Sequence, residues 1–345
     1  MKSLHLGILK IGIFNSTKFK LTMYIDGLEQ NHPLQSPNQA SHFPPRFRLI
    51  IRDLLVAYIS IFSLVAGNIV LNGLEVDLLF RILIMIFSGI LVAFLFHFLF
   101  LFLHEAGHFN LYLNHKINDL LGNFFVGYWF FQDTGLYRRM HWKHHVHHGE
   151  KVDPENSYFL PLTIGNLLKV FSGYSTFLKV FAWKEAQTLE KDDPKDRKAK
   201  LQALLFFGVY NIAVIIPFIL QDAWILYIVV WLIPLFCGFP VLAFIRQECE
   251  HRQLGSGATV FGKQAPGKFS AVFRPTLGAY LMGGAGFRLH WYHHFNPYIS
   301  YTRLGDFAMK VKNTLPELNS SLNEIGYLNT FVKLLQDAYR PSQSF

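Results

Sequence analysis

The sequence predicts an all-α integral membrane protein built from two transmembrane helical hairpins, with a cytosolic helical cap that carries a metal site. Three observations lead to this fold class. First, 51% of the 345 residues are hydrophobic and only 16% are charged, a balance that is unusual for a soluble domain. Second, the chain contains four apolar stretches long enough to cross a membrane. Third, it contains three tight clusters of histidine.

The four apolar stretches are the predicted spans of the membrane. A hydrocarbon core about 30 Å thick requires about 20 apolar residues in a helix. The stretches that meet this requirement are Leu54–Leu71, Ile82–Leu103, Leu201–Leu220 and Ala223–Ile245. Only a short acidic turn around Glu75 separates the first two, and only Gln221 and Asp222 separate the last two. Each pair is therefore predicted to form a hairpin.

Lysine and arginine are concentrated away from these two hairpin turns. They precede the first span, surround the second histidine cluster and fill the connection between the hairpins: Lys2, Lys10, Lys18, Lys20, Arg46, Arg48, Arg52, Arg138, Arg139, Lys143 and the basic members of residues 184–200. Because basic loops are retained on the cytoplasmic side, we expect a multi-pass protein with both termini and all histidine clusters in the cytoplasm. This bias and anionic lipid explain the net charge of +9 without a nucleic-acid partner.

Eight of the 16 histidines have spacings that place them on one face of a helix. The clusters are His104 and His108; His141, His144 and His145; and His290, His293 and His294. Residues three or four apart are neighbours on a helix surface, and neutral imidazole is a ligand for iron, copper, zinc or nickel. Since the predicted topology brings all three clusters to the same side of the membrane, we expect them to share one metal site.

The clusters have the forms HxxxH, HxxHH and HxxHH in that order and are called the first, second and third histidine boxes. Together with the four spans they resemble the integral-membrane fatty acid desaturase and hydroxylase family. The resemblance extends from about Leu49 to Leu304. It includes Asp153-Pro154-Glu155 after the second cluster, and Asn296-Pro297 followed by Tyr301 and Leu304 after the third. Its motifs are specific for the superfamily and much less specific for the reaction.

The resemblance implies two iron ions, O2 as co-substrate and the eight clustered histidines as ligands. It also implies an acyl substrate, carried on a lipid, on coenzyme A or on acyl-carrier protein, and a separate electron donor such as ferredoxin or a b-type cytochrome. The segment after the third cluster favours a fatty acyl desaturase. A hydroxylase or ketolase on the same scaffold remains an alternative, because the residues do not distinguish loss of two hydrogens from insertion of oxygen.

A ninth ligand is expected at His251, where the fourth span returns to the cytoplasmic side. Some members of the family carry an Asn-x-x-x-His element there, and this chain has Gln247 in place of the asparagine. Gln247 could orient a metal-bound water or simply be polar lining. Glu248 and Glu250 are candidates to hold the second nitrogen of a ligating histidine, as carboxylates near metal sites often do. The alternative is that they form a solvated helix end.

A remote alternative comes from His104-Glu105-Ala-Gly-His108, which also matches the HExxH motif of zinc proteases. In that motif the glutamate is the general base, and an aspartate from a later helix typically completes the zinc site. The later spans offer only Asp222, at a turn. In the desaturase interpretation Glu105 at most supports the metal ligands. A non-enzymatic metal transporter is disfavoured, since the clusters lie at one face rather than within the spans.

The chain is predicted to have three regions. Residues 1–48 are basic and are expected to form a largely disordered cytosolic segment. Residues 49–310 are expected to form the membrane domain with its cap. Residues 311–345 are expected to form a cytosolic tail.

Overall fold

The protein is described from a computed structural model, and the structure describes residues 41–150, 152–159, 162–174, 194–252, 270–316 and 324–339. The helices in chain order are α1 Phe47–Asn72, α2 Leu78–Gly107, α3 His115–Phe125, α4 Thr134–His147, α5 Ile164–Phe171, α6 Pro194–Leu220, α7 Trp224–His251, α8 Leu277–Met282, α9 His290–Phe295, α10 Tyr301–Thr314 and α11 Tyr327–Tyr339. Strands β1 Val272–Phe273 and β2 Glu324–Ile325 form a short parallel pair. Most of the predicted segment 1–48 lies outside the described residues.

The four predicted spans correspond to α1, α2, α6 and α7, each long and apolar enough to cross a membrane. This result confirms the fold class. The first hairpin turns at residues 73–77, where the Asp77 side chain accepts a hydrogen bond from Phe80 N at 3.0 Å and caps α2. Large aliphatic side chains such as Ile59, Leu83 and Ile216 are exposed on the outer faces of the spans, as expected for helices surrounded by lipid.

Small and polar residues bring the spans together. At Gly89 an added Cβ would lie 2.7 Å from Val229 O, and at Gly238 it would lie 2.6 Å from the Ala93 Cβ, so both glycines are required for close contact between α2 and α7. Asn68 of α1 donates to Ser88 Oγ of α2 at 2.8 Å. Such contacts are typical where lipid removes the hydrophobic drive for helix association.

The remaining helices form a cap around the C-terminal ends of α2 and α7. Arg138 of α4 donates to the Ala106 and Gly107 carbonyls at 3.0 Å, which satisfies backbone acceptors that the end of α2 leaves open. Helix α10 continues past residue 310, where the sequence analysis expected the membrane domain to end. Helix α11 packs against α7 through Leu334 and Phe244. The cap therefore includes helices from both sides of residue 310.

Candidate metal centre

The structure brings all nine predicted ligands to the cap end of the helix bundle. His104 lies in the last turn of α2 and His108 follows it as the helix cap. The second histidine box lies on α4, whose first turn is fixed by Asp133 accepting from Gly135 N and Leu136 N. The third histidine box lies on α9, and His251 ends α7. Four separate elements thus meet at one place.

The histidines divide into two adjacent groups. The five-histidine cluster consists of His104, His108, His141, His145 and His293, each offering a nitrogen within 4.8 Å of the others. In this cluster His145 Nε2 lies 3.0 Å from His141 Nε2 and 3.2 Å from both His108 Nε2 and His293 Nε2. The nitrogens therefore converge on one point.

The second cluster consists of His144, His251, His290 and His294. His290 Nε2 lies 3.0 Å from His251 Nε2 and 3.1 Å from His294 Nε2, and nitrogens of His144, His251 and His294 lie within 4.8 Å of one another. The two clusters adjoin, because the rings of His145 and His294 have centroids only 4.4 Å apart.

Both clusters have the chemistry of a metal site. Two nitrogens bound to one metal at about 2.1 Å and at right angles lie about 3.0 Å apart, which matches the separations between these imidazoles. Neither nitrogen of the buried His104 ring has a hydrogen-bond partner within the described part of the chain. Burial, followed by the charge of His141, lowers the pKa of His145 and of His293 well below its usual value. These two rings are therefore neutral, the form of imidazole that binds a metal.

Two carboxylates hold the outer nitrogens of the second histidine box. His141 Nδ1 lies 2.7 Å from Glu155 Oε1, and His144 Nδ1 lies 2.9 Å from Asp153 Oδ2. Each ring can thus donate its Nδ1–H to the carboxylate and direct Nε2 toward its cluster, as ligating histidines commonly do. The sequence analysis noted Asp153 and Glu155 only as part of a family motif and gave them no role.

Glu105 links the first histidine box to the segment that follows the third. One of its oxygens, Oε2, accepts a hydrogen bond from Tyr301 N at 3.0 Å at the start of α10, and the other lies 3.6 Å from His104 Nδ1. The HExxH alternative requires this carboxylate to be a free base beside two histidines and an aspartate. Instead, His104 and His108 lie with three further histidines, an arrangement that disfavours a zinc protease.

The three other residues expected near the ligands differ in their contacts. Gln247 donates to Glu155 O at 2.7 Å and accepts from the Ser157 hydroxyl, so its amide binds the loop that follows the second box. Glu248 pairs with Arg252 at 2.8 Å. Glu250 reaches the site, with Oε2 3.6 Å from His290 Nε2.

Glu250 is held in place by two further side chains. Arg246 donates to Glu250 Oε2 at 3.0 Å, and the Tyr327 hydroxyl donates to Glu250 Oε1 at 2.8 Å. Tyr327 opens α11, so the helix after β2 contributes a contact to the metal region. The sequence analysis assigned no such role to this part of the chain.

His97 of α2 contacts the protein backbone and belongs to neither histidine cluster. Its Nε2 lies 3.0 Å from Met282 O in α8. His147 is half-exposed, with Nδ1 3.0 Å from Glu150 Oε2. His148 is different, because it is buried against His144, His251 and His294.

Two apolar cavities lie among the spans. The larger of these, about 470 Å³, is lined by residues of α2, α5 and α7 that include Ala93, Phe171 and Pro234. The other, about 310 Å³, is lined by residues that include Phe62, Trp129 and Val214. None of the nine histidines lines either cavity in the described part of the chain.

The fold and the site together define an integral membrane protein with two histidine clusters that could bind metal at one end of its helices. The profile of the fatty acid desaturase family matches residues 80–326, and the chain belongs to that family. Its curated relatives include zeaxanthin 4-ketolase of Chlamydomonas reinhardtii, 33% identical over 97 residues, which is 27% of this chain and 22% of the relative.

Two more relatives are the beta-carotene ketolase and the beta-carotene 4-ketolase 3 of Haematococcus lacustris. Each is 40% identical over 62 residues, which is 18% of this chain and 19% of the relative. The chain therefore spans only about a fifth of the length of the curated relatives that it matches. These similarities indicate an oxidoreductase and leave the reaction to be assigned.

Proposed function

We propose that this protein is an O2-dependent membrane oxidoreductase that acts on an unactivated C–H bond of a lipid. The observation that carries the proposal is the pair of adjacent histidine clusters, one built from His104, His108, His141, His145 and His293 and the other from His144, His251, His290 and His294. The family is generally iron-dependent, and the two clusters would hold two iron ions.

The chemistry of an alkyl chain explains why a metal is needed. Such a chain has no acidic proton and no leaving group, so acid–base side chains cannot attack it. Two bound irons would supply the oxidising power by reducing O2 with electrons from a separate donor. The donor we propose is a ferredoxin or a b-type cytochrome.

The residues of this chain position the reacting groups. Asp153 and Glu155 fix the orientation of His144 and His141, and Glu105 fixes the start of α10 relative to α2. The substrate chain must lie with one methylene pair against the metal centre, where a displacement of about 1 Å can cost about 100-fold in rate. The cap, packed on the ends of α2 and α7, is the part of the protein able to impose this placement.

The first candidate reaction is desaturation of a fatty acyl chain carried on a lipid, on coenzyme A or on acyl-carrier protein. It is supported by the family and by the segment after the third box, where Tyr301 contacts the first box through Glu105. The second candidate is ketolation or hydroxylation, and it is favoured by the similarity to ketolases. Both reactions need the same centre and differ in whether oxygen enters the product.

One experiment distinguishes the two candidates. The chain is expressed with a ferredoxin and its reductase in a host that also makes β-carotene and zeaxanthin, and fatty acids and carotenoids are analysed from the same cells. A new double bond in the acyl chains supports the desaturase, and a new keto or hydroxyl group in the carotenoids supports the second candidate. His293→Ala, which removes one nitrogen of the five-histidine cluster, is the inactive control.

Loss of any new product in that control ties the activity to the cluster. If neither lipid class changes, the purified iron-loaded protein is supplied with dithionite-reduced ferredoxin, O2 and either an acyl-coenzyme A or β-carotene. Failure of iron to bind at all would refute the proposed function.

A further inference from the structure

The second histidine box contains a pattern longer than HxxHH. His141 and His145 are four residues apart on α4, and both contribute to the five-histidine cluster. His144 contributes to the second cluster, and the residue four positions after His144 is His148. Residues four apart lie on the same face of a helix. Helix α4 thus presents His141 and His145 to the five-histidine cluster. His144 and His148 have the same spacing, and His144 belongs to the second cluster.

The structure places His148 beside the second cluster. The residue is buried, and its ring centroid lies 4.4 Å from that of His251, 4.7 Å from that of His294 and 5.2 Å from that of His144. Rings that converge within the two clusters have similar separations, for example 4.3 Å for His104 and His141 and 4.7 Å for His251 and His290. His148 therefore packs against the second cluster as closely as its members pack together.

The second cluster has room in its ligand set for another group. It contains four histidines where the first cluster contains five. The amide of Gln247, for which a metal-bound water and a polar lining role were both open, binds Glu155 O and the Ser157 hydroxyl. Glu250 is held by Arg246 and Tyr327. Along α4, His148 is the histidine one turn after His144.

We propose that His148 is a fifth nitrogen ligand of the metal in the second cluster. His148 follows α4 as its cap residue, with φ −51° and ψ 128°. Because φ is still helical and ψ moves only the atoms that follow, its side chain leaves the backbone in the direction of a helical residue and keeps the i, i+4 relation to His144. The inference rests on the proposed function, because it assumes that the second cluster holds a metal. With His148 each metal would have five histidines, arranged as two i, i+4 pairs and one single residue.

The test measures metal rather than turnover. The unsubstituted protein and the variants His148→Ala, His148→Phe and His147→Ala are loaded with 57Fe, and iron content and Mössbauer spectra are recorded. His147 is the matched control, since it neighbours His148 but is half-exposed and pairs with Glu150. We expect His148→Ala and His148→Phe to lose about half of the iron and one of two spectral components, because loss of one ligand weakens binding by at least the 10- to 100-fold of outer-shell changes. His147→Ala should retain both.

Two further readings separate ligation from packing. His148→Phe keeps a ring of similar size without a donor nitrogen, so a packing role predicts that its iron is retained. Added imidazole should restore iron to His148→Ala by entering the space that the substitution leaves. Full iron content in His148→Ala, or a loss that imidazole does not reverse, would overturn the inference. If the unsubstituted protein binds no iron, the proposed function itself has failed.

Discussion

The carboxylate of Glu105 accepts a hydrogen bond from the backbone nitrogen of Tyr301, at 3.0 Å and across 196 residues of sequence. This contact ties the last turn of α2, which carries the first histidine box, to the first turn of α10, which follows the third. The Tyr301 hydroxyl in turn donates to Asp53 Oδ2 of α1 at 2.8 Å. Tyr301 thus connects the cap to the membrane spans α1 and α2 by hydrogen bonds.

The first prediction concerns Glu105. Glu105→Gln keeps an oxygen that can accept from Tyr301 N, so we expect the variant to retain its iron and partial activity, with a loss of about 10- to 100-fold. Glu105→Leu removes the acceptor and leaves the Tyr301 N–H unpaired, which should cost about 1–3 kcal/mol of stability. Iron content, product formation and thermal unfolding in detergent measure these effects.

Glu105→Gln also tests the HExxH alternative. A zinc-protease base would be lost in Glu105→Gln, with the metal still bound and all turnover abolished. An iron-loaded but inactive Glu105→Gln would therefore contradict a purely positioning role for this carboxylate.

The second prediction concerns the carboxylate that holds His144. Asp153 Oδ2 also accepts from the Tyr158 hydroxyl at 2.5 Å, so Asp153 is fixed on both sides. Asp153→Asn should weaken iron binding by about 10- to 100-fold, because the Nδ1–H of His144 loses its charged acceptor. Competition with a chelator measures the affinity. Glu150→Gln is the control, since Glu150 is exposed and pairs with the peripheral His147. An unchanged chelation curve for Asp153→Asn would show that the orientation of His144 does not depend on this carboxylate.

The fold and the set of histidines that lie close together could be predicted because both depend on local patterns. Four apolar stretches of sufficient length predict four helices, and the spacings of three and four predict which histidines share a helix face. The division into two clusters is different. It depends on how α4 and α9 are placed relative to each other, which brings His293 to one cluster and His290 and His294 to the other. That placement is a tertiary property and has no signature in the spacing of one helix.

The supporting contacts were missed for the same reason. Gln247 has the spacing expected of a residue that faces the site with His251, but the loop at Glu155 and Ser157 packs close enough to take its amide. Burial of His148 likewise results from α7 and α9 lying beside the end of α4. A signal for His148 was nevertheless present, since it continues the i, i+4 spacing from His144.

The third prediction concerns orientation in the membrane. Cysteines placed at the exposed positions Glu75 and Gln221 should react with an impermeant thiol reagent added outside the cell, and cysteines at Glu150 and Lys198 should not. The unsubstituted chain, with the native Cys237 and Cys249, gives the background. Labelling of Glu150→Cys but not of Glu75→Cys would contradict the expected orientation, and labelling of both from outside would contradict a membrane span between them.

The last prediction compares the two polar residues at the end of α7. His251→Ala removes a nitrogen that lies 3.0 Å from His290 Nε2, so this variant should lose the metal of the second cluster and all activity. Gln247→Ala should retain most of its iron, because its amide contacts Glu155 O and Ser157 rather than a histidine. We expect its cost in stability to be about 1 kcal/mol for each lost hydrogen bond.

Gln247→Asn provides the sharper comparison. It keeps the amide but shortens the side chain by one methylene, so it should lose the contact with Glu155 O and resemble Gln247→Ala in thermal stability while keeping its iron. Iron content and melting temperature, measured on the same detergent-purified samples, separate the two roles. Full iron and near-normal turnover in His251→Ala would remove His251 from the ligand set. Loss of iron in both Gln247 variants would instead show that the loop after the second box helps to hold the metal, because Gln247 donates to Glu155 O and the Glu155 carboxylate contacts His141.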